Sequence, residues 1–203
     1  EIMKIVYQGS PGAYSHLAAK KIYPEYEFIP YNTFEDCFKH CNENEEHKTI
    51  IPVENSIAGR VADIQYLINK YKLQIYAEHF QEIKHNLMIL KDNELKNVKS
   101  VRSHSQAISQ CQKLINSNKF EPIIAADTAG SAKYISEKKI NSEAAIASEL
   151  AAKIYDLKIV KKNIEDNRSN VTRFLIMGKK KSHPEFENKN YITSCIFKVK
   201  NKP

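Results

Sequence analysis

One short stretch of the chain concentrates side chains that could bind an oxygen-rich small molecule. Residues 163–178 begin polar and acidic and end in an apolar run, 174–177, which is followed by a glycine. Such a run after a polar loop predicts a buried strand. At the junction lie Asn170, Thr172 and Arg173, which are an amide, a hydroxyl and a permanent cation. These groups can hold a carboxylate and donate hydrogen bonds to other oxygens.

Arginine is scarce in this chain, and two of its occurrences fall in that stretch. The 31 basic residues include only the arginines at positions 60, 102, 168 and 173. The planar fork of arginine matches a carboxylate in a way that lysine does not. The alternative for Arg173 is an ion pair with Asp166 or Glu165, since pairs at loop–strand junctions often have no function. Position alone leaves both readings open.

The elements that must position these residues alternate along the chain. We predict strands over 4–7, 26–31, 48–53, 73–80, 86–90, 98–102, 122–126, 144–147 and 174–177, and helices over 13–22, 33–44, 60–71, 103–116, 127–137 and 148–155. Repeated strand–helix units predict a parallel sheet covered by helices. Right-handed crossovers then place the loops that follow the strands at one edge, where ligands bind.

Small neutral hydrogen-bonding residues recur in those loops. They are Ser10, Asn55, Ser56, Ser103, Gln106, Thr128, Asn170 and Thr172. Such a lining suits an oxygen-rich small molecule better than a peptide or a nucleic acid. His104 and Glu54 lie in the same loops. For His104 a structural hydrogen bond competes with catalysis, and Glu54 is either a catalytic acid or a group that orients another residue.

Charge and hydropathy argue against two classes of partner. The net charge is +7 and the sequence pI is about 9.1, but the lysines are spread along the chain and no basic–aromatic alternation is typical of a nucleic-acid module. We therefore predict a solvated basic surface that attracts a small anionic substrate and binds no nucleic acid. No apolar run approaches the ~20 residues of a membrane span, and no signal-peptide pattern opens the chain. These features predict a cytoplasmic protein without a membrane partner.

The four cysteines, at positions 37, 41, 111 and 195, show no disulfide-framework spacing. Cys37 and Cys41 are separated by one helical turn, with His40 beside them. A metal site there is one reading. Ordinary buried thiols are the other, and the chain offers no second Cys/His pair at zinc-like spacing.

Several stretches taken together resemble the prephenate dehydratases. They are Gly9–Ser15, Pro52–Gly59, Ser103–Ala107 with Gln110–Cys111, Asp127–Gly130, Ala144–Ser148 and Asn170–Phe174. They occur in the order typical of the family and span residues 4–178. Ser105 departs from the family pattern, which usually has proline there. Serine can cap the same helix, so we expect little consequence.

The resemblance implies an α/β fold of two lobes with mixed, mainly parallel sheets around a cleft, resembling type II periplasmic binding proteins. The catalytic domain would be 1–178, with lobe 1 about 1–77 plus 172–178 and lobe 2 about 78–171. The chain would cross between the lobes near 76–79 and return before Thr172. Residues 179–190 would be a linker, and 191–203 would be the first strand of an incomplete ACT regulatory domain.

The resemblance also implies a reaction, the decarboxylating dehydration of prephenate to phenylpyruvate in L-phenylalanine biosynthesis. No cofactor and no metal are needed, because aromatisation drives the step. Thr172 would donate a hydrogen bond to the departing hydroxyl, Arg173 would hold a carboxylate, and Glu54 would complete the catalytic group. The implied substrate-binding residues are Ser10, Ala13, Asn55, Ser56, Ser103, Gln106, Thr128, Ala129, Asn170 and Phe174.

Two other functions stay open at this point. One is arogenate dehydratase, the same chemistry on the amino analogue, and the other is a non-catalytic two-lobe domain that binds a small molecule. The resemblance implies a homodimer or homotetramer. It implies L-phenylalanine as an effector only where a full ACT domain is present.

Overall fold

Two sheets organise the chain. The computed structural model describes residues 3–61 and 64–181. The strands in chain order are β1 Lys4–Gln8, β2 Glu27–Tyr31, β3 Lys48–Asn55, β4 Gly59–Arg60, β5 Gln74–Glu82, β6 Asn86–Leu90, β7 Ser100–His104, β8 Glu121–Ala125, β9 Glu143–Ala147, β10 Leu157–Lys161 and β11 Val171–Gly178. The helices are α1 Tyr14–Ile22, α2 Phe34–Glu43, α3 Ile64–Tyr71, α4 Ser105–Ser109, α5 Gln112–Asn118, α6 Thr128–Lys138 and α7 Glu149–Ile154, with a 3-10 turn at Leu95–Asn97.

The first sheet joins the beginning of the chain to the end of its described part. Its order is β2-β1-β3-β11-β5, with β4 paired to β3. Strand β1 is parallel to β2 and β3, whereas β11 is antiparallel to both β3 and β5. Both faces of the central strands are buried, as Ile50 and Phe174 pack on one side and Ile51 and Leu175 on the other. Their near-continuous apolar sequences follow from this burial on two faces.

The second sheet is built from one continuous part of the chain. Its order is β10-β6-β9-β7-β8, with β7 parallel to β8 and β9, and β6 antiparallel to β9 and β10. Alanines dominate the contact between β9 and the helices α6 and α7: Ala129, Ala132, Ala145, Ala147 and Ala151. Such small side chains let helix and sheet backbones approach closely. The sheet therefore carries a thin alanine layer on one face and larger residues such as Leu87 and Ile146 on the other.

Four helices in the described part of the chain begin at residues whose side chains accept a backbone N–H. At the start of α4, Nδ1 of His104 accepts from Gln106 at 3.3 Å. Thr33 accepts from Asp36 at the start of α2, Asp127 from Gly130 at the start of α6, and Ser148 from Ala151 at the start of α7. Each bond satisfies one of the orphan donors of a first helical turn. The capping role predicted for Thr33 is confirmed.

Two predicted helices differ from the structure. The helix expected from Arg60 begins at Ile64, because Gly59 and Arg60 form β4 against β3. The helix expected over 103–116 is divided into α4 and α5. The break falls at Gln110, whose carbonyl oxygen accepts the N–H of Asp166 at 2.7 Å.

Two strands differ from the sequence prediction, one because it was not predicted and one because it is longer than predicted. Strand β10 was not predicted, because it lies at an edge of its sheet. Its short apolar segment, Ile159 and Val160, is flanked on both sides by a lysine. Strand β5 continues to Glu82, since it pairs with β11 as far as Val171. The first sheet therefore includes residues up to Glu82, and the lobe boundary near residue 77 with a crossing at 76–79 stays a prediction. The predicted ACT strand, 191–203, and most of the linker lie outside the described residues.

Two further features bear on the sequence predictions. None of the helices within 3–61 and 64–181 has the length and apolar character needed to cross a bilayer.

Cys37, Cys41 and Cys111 are free and buried, and burial raises the pKa of the Cys37 thiol to about 12. His40 donates to or accepts from Tyr31 and His47 through its two ring nitrogens.

Candidate active site

A cavity of about 550 Å³ lies between the two sheets. The first sheet and its helices contribute Ala13, Tyr14, Asn55, Thr172 and Phe174 to its wall, and the second contributes Gln106, Gln110, Asp127 and Thr128. A cleft lined by both halves of a fold, with few convergent polar groups among apolar ones, is the usual form of a small-molecule site.

Asn55 holds the hydroxyl of Thr172 in the wall of this cavity. The two residues are register partners on β3 and β11, and Nδ2 of Asn55 donates to Oγ1 of Thr172 at 2.9 Å. The amide orientation is set by the backbone, because Oδ1 of Asn55 accepts the N–H groups of Ile57 and Ala58 at 3.0 and 2.9 Å. Since Thr172 uses its oxygen to accept from Asn55, its own hydrogen is available to a group in the cavity.

The same amide begins a directed series of hydrogen bonds. Nδ2 of Asn55 also donates to Oδ1 of Asn170 at 2.8 Å, and Nδ2 of Asn170 donates to Oε1 of Gln110 at 2.8 Å. Nε2 of His85 lies 2.9 Å from that same oxygen. Because Oε1 can only accept, Nε2 of His85 carries the hydrogen and Nδ1 is left to face the Tyr14 hydroxyl at 2.8 Å.

Burial keeps the end of this series uncharged. The side chain of His85 is buried, and this burial lowers its pKa from the ordinary value near 6.5. Burial likewise raises the pKa of the Tyr14 hydroxyl well above 10. The series is therefore neutral at neutral pH. Through hydrogen bonds alone it links α1, the segment between β5 and β6, the residue after α4 and the residue before β11.

Separate contacts hold the loop after β1 against the second lobe. Oγ of Ser10 donates to Oδ2 of Asp127 at 3.1 Å, and Oγ of Ser148 donates to the carbonyl oxygen of Gly12. These contacts fix the position of Ala13 and Tyr14, which follow in the same loop and line the cavity.

The structure brings six of the predicted site residues into the cavity wall. They are Ala13, Asn55, Gln106, Thr128, Thr172 and Phe174. The others, Ser10, Glu54, Ser56, Ser103, Ala129, Asn170 and Arg173, lie outside the described lining. The roles predicted for all of them in substrate binding or catalysis stay predictions.

The residues outside the lining have identifiable contacts of their own. Oγ of Ser103 is fully buried and donates to the carbonyl oxygen of Ile146 at 2.6 Å, and Ala129 is fully buried in the alanine layer. Oγ of Ser56 donates to the carbonyl oxygen of Ser169 at 2.7 Å. These contacts position the loops that carry the site, whereas Glu54 is exposed.

Arg173 faces away from the cavity. Successive residues of a strand point to opposite faces, so the residue after Thr172 turns its side chain outward. Its Nε and Nη2 atoms both lie 2.8 Å from Oε2 of Glu78 on the neighbouring strand β5. The ion pair that was left open as an alternative is therefore formed with Glu78 and not with Asp166 or Glu165. Those carboxylates instead accept the backbone N–H groups of Lys113 and His85.

Sequence reasoning gave no site role to Tyr14, Arg60, His85, Gln110 and Asp127, which all line the cavity. Tyr14, Gln110 and Asp127 lie within the stretches that resemble the family, and this was the one signal for them. Tyr14, His85 and Gln110 are far apart in the chain, and only the packing of the two lobes brings them together.

Comparison with known proteins identifies the family. The model of the family described as prephenate dehydratase matches residues 5–182. The chain belongs to the prephenate dehydratase family. The resemblance noted in the sequence is thereby confirmed.

Relatives within the prephenate dehydratase family cover nearly the whole chain. The bifunctional N-acyl-homoserine lactone acylase/prephenate dehydratase of Komagataeibacter europaeus is 33% identical over 98% of this chain and 71% of its own length. The arogenate dehydratase/prephenate dehydratase 2 of Arabidopsis thaliana, a chloroplastic protein, is 35% identical over 99% of this chain and 52% of its own length. The chain thus spans only about half the length of this plant relative.

The fold of the family is also confirmed. The solved prephenate dehydratase of Staphylococcus aureus superposes with a TM-score of 0.76 at 26% identity, covering 89% of this chain and 67% of that one. The predicted α/β class with two mixed sheets around a cleft agrees with this likeness and with the two sheets described above.

Proposed function

We propose that this chain catalyses the decarboxylating dehydration of prephenate to phenylpyruvate. The observation that carries the proposal is the hydroxyl of Thr172, held by Asn55 at 2.9 Å with its hydrogen available to the cavity. In the reaction the ring carboxylate leaves as carbon dioxide, and the electrons of its C–C bond complete the aromatic ring as the C–O bond to the ring hydroxyl breaks. With one proton taken up by the hydroxide, the products are phenylpyruvate, carbon dioxide and water.

Thr172 assists the departure of the ring hydroxyl. Threonine is too weak an acid to transfer its proton fully, so it acts as a hydrogen-bond donor whose bond strengthens as negative charge develops on the leaving oxygen. The donor is preorganised, because the bond from Asn55 restricts the direction of the hydroxyl hydrogen.

The cavity wall can also accommodate the anionic parts of the substrate. Helix α1 begins at Tyr14, and its N-cap residue Ala13 provides no side-chain cap, so the first backbone N–H groups of the helix lack a capping partner where Ala13, Tyr14 and Ser15 line the cavity. Apolar residues, among them Pro52, Ile83 and Phe174, complete the wall. A carboxylate beside such residues is poorly solvated, and poor solvation favours its loss as carbon dioxide.

The closest competing activity is the same chemistry on arogenate. The Arabidopsis relative is named for both activities, and its likeness to this chain supports either substrate. The test is to incubate the protein with each compound and to follow phenylpyruvate and phenylalanine. Turnover of prephenate that Thr172→Val slows about 10²-fold or more supports the proposal. Tight binding of both compounds without any product would favour the non-catalytic domain instead.

Four further properties belong to the same proposal: the absence of a cofactor, the oligomeric state, the location and the regulation. The reaction needs no cofactor. The full protein assembles as a homodimer or homotetramer in the cytoplasm, and L-phenylalanine regulates it where a complete ACT domain follows. Gel filtration and assays with and without L-phenylalanine on a chain extended past residue 203 test the oligomeric state and the regulation.

A further inference from the structure

Arg60 lies in the wall of the cavity, at a position to which the sequence predictions gave no role. Among the described residues that form this wall, it is the only lysine or arginine. It belongs to the two-residue strand β4 and is exposed. An exposed arginine at the mouth of a cavity can change rotamer to meet a ligand without breaking a packed core.

The proposed substrate creates a charge problem that Arg60 can solve. Prephenate carries two carboxylates, and the wall already contains the carboxylate of Asp127. Asp127 is engaged as the cap of α6 and accepts from Ser10, but it still repels anions nearby. His85 offers no compensating charge, since burial lowers its pKa.

The position of Arg60 relative to Thr172 also fits. Strand β4 pairs with β3, where Arg60 is opposite Glu54, and β3 pairs with β11, where Asn55 is opposite Thr172. Two inter-strand steps lead from Arg60 through Glu54 to Arg173, the residue after Thr172, so the backbones of Arg60 and Thr172 lie about 10 Å apart. In prephenate the ring hydroxyl and the pyruvyl side chain stand at opposite ends of the ring. A group at Thr172 and a flexible cation at Arg60 can therefore contact the two ends of one molecule.

The chemistry decides which carboxylate Arg60 holds. A cation that stabilises the departing ring carboxylate would oppose its loss, because that group must give up its charge as carbon dioxide forms. The pyruvyl carboxylate keeps its charge throughout and is still present in the product. We propose that the guanidinium of Arg60 binds the pyruvyl carboxylate of the substrate, an inference that rests on the proposed function.

This assignment separates the roles of two arginines. The guanidinium of Arg173 is paired with Glu78 on the neighbouring strand β5. Arg60 has no ion pair with another residue within the described parts of the chain at 4.0 Å or less. Binding to Arg173 requires a carboxylate to compete with Glu78, whereas binding to Arg60 does not.

The experiment compares Arg60→Gln and Arg60→Lys with Arg168→Gln, which removes the same charge from an exposed position outside the cavity wall. For Arg60→Gln we expect the KM for prephenate to rise about tenfold to hundredfold, as for loss of a charged hydrogen bond, with a smaller change in kcat. The inhibition constant of phenylpyruvate rises by the same factor, since the product keeps the bound carboxylate. The KM of Arg60→Lys should lie between those of the wild type and Arg60→Gln, because the lysine ammonium is a point charge without the planar fork of the guanidinium.

Several results would overturn the assignment. An unchanged KM in Arg60→Gln, or an equal rise in Arg168→Gln, removes Arg60 from the site. A raised KM with an unchanged inhibition constant for phenylpyruvate would show that Arg60 does not bind the pyruvyl carboxylate. A raised KM in Arg173→Lys but not in Arg60→Gln transfers the role to Arg173. Circular dichroism confirms that each variant is folded.

If the chain does not catalyse the proposed reaction, the assays give a different set of results. The wild-type protein then forms no product from prephenate or arogenate. In that case calorimetric titration of prephenate into wild type and Arg60→Gln still tests the arginine. Equal affinities refute its role, and weaker binding in Arg60→Gln supports it for a binding protein.

Discussion

Gly12 lies directly against the backbone of Ala151, so that a Cβ atom on Gly12 would come within 2.6 Å of the Ala151 Cα atom. The two residues belong to different lobes, as Gly12 follows β1 and Ala151 is in α7. The carbonyl oxygen of Gly12 also accepts from Oγ of Ser148. This contact brings the loop that carries part of the cavity wall close to the second lobe.

We predict that Gly12→Ala destabilises the protein more than Gly59→Ala does. Both glycines have positive φ, +92° and +81°, so each alanine costs about 1–2 kcal/mol of backbone strain. At Gly59 the added Cβ meets nothing within 4 Å, whereas at Gly12 it meets backbone atoms and adds about 1–3 kcal/mol of overpacking. Urea unfolding of the two variants measures the difference. Equal free energies of unfolding would show that the lobes yield easily at this contact.

Thr172→Val should lower kcat about 10²-fold or more, because it removes one preorganised hydrogen-bond donor from the transition state. Valine keeps the branched shape, so the fold is retained in this strand. Thr172→Ser is the matched control, since it keeps the hydroxyl and should retain most of the activity. Steady-state assays with prephenate decide the point, and full activity in the valine variant would exclude Thr172 from the chemistry.

Asn55→Asp should lower both stability and kcat. The change replaces the donor Nδ2 by an oxygen that faces three acceptors, Oδ1 of Asn170, the carbonyl oxygen of Val171 and Oγ1 of Thr172. Leaving such groups without a donor costs about 1–3 kcal/mol each. Lowering the pH protonates the new carboxyl, which regains one O–H donor, so part of the lost activity should return. A variant whose activity relative to wild type does not depend on pH would contradict this account.

His16 should make the protein less stable in acid. Its ring stacks on Tyr7 with centroids 4.9 Å apart, and its Nδ1 accepts the N–H of Gly12. Burial, with a smaller contribution from Lys20, lowers its pKa from 6.5 to about 4. Above about pH 6.5 both states are neutral and the stability is complete. As the pH falls from there to about 4, His16 is protonated in the unfolded chain but stays neutral in the folded chain, so the free energy of unfolding decreases.

His16→Asn tests this prediction, since its amide oxygen can accept the same N–H and does not titrate. Thermal melts at pH 7 and pH 4.5 should show a larger fall in Tm for the wild type than for the variant. His85 shifts stability in the same direction in both proteins, because its pKa is also lowered. An equal fall in Tm would assign the acid sensitivity to groups other than His16.

Local signals in the sequence predicted most of the elements. Thr33 is a small polar residue before an apolar helix face, and it caps α2 as such residues do. The apolar run at 174–177 lies in β11, since both faces of that strand are buried. Strand β4 escaped prediction because two residues carry no periodic pattern, and the break at Gln110 depends on a hydrogen bond from the distant Asp166.

The site was predictable only where its residues lie in recognisable stretches. Asn55 and Thr172 were found for that reason, but nothing in the sequence pairs Tyr14 with His85 or His85 with Gln110. The outward direction of Arg173 could have been predicted, because strand neighbours alternate between faces and Thr172 was already placed inward. Its partner Glu78 could not, since the position of β5 beside β11 is a property of the whole fold.

The place of β11 in the first sheet has a consequence for synthesis on the ribosome. In that sheet β5 has β11 as its neighbour, and about 90 residues separate the end of β5 from the start of β11. At 5–20 residues per second, the nascent chain exposes the unpaired edge of β5 for roughly 5–18 s. The second sheet is contiguous and can fold during that interval. Chaperone capture of ribosome-bound chains should therefore peak after β5 emerges and end when β11 does, and only then do Asn55 and Thr172 meet.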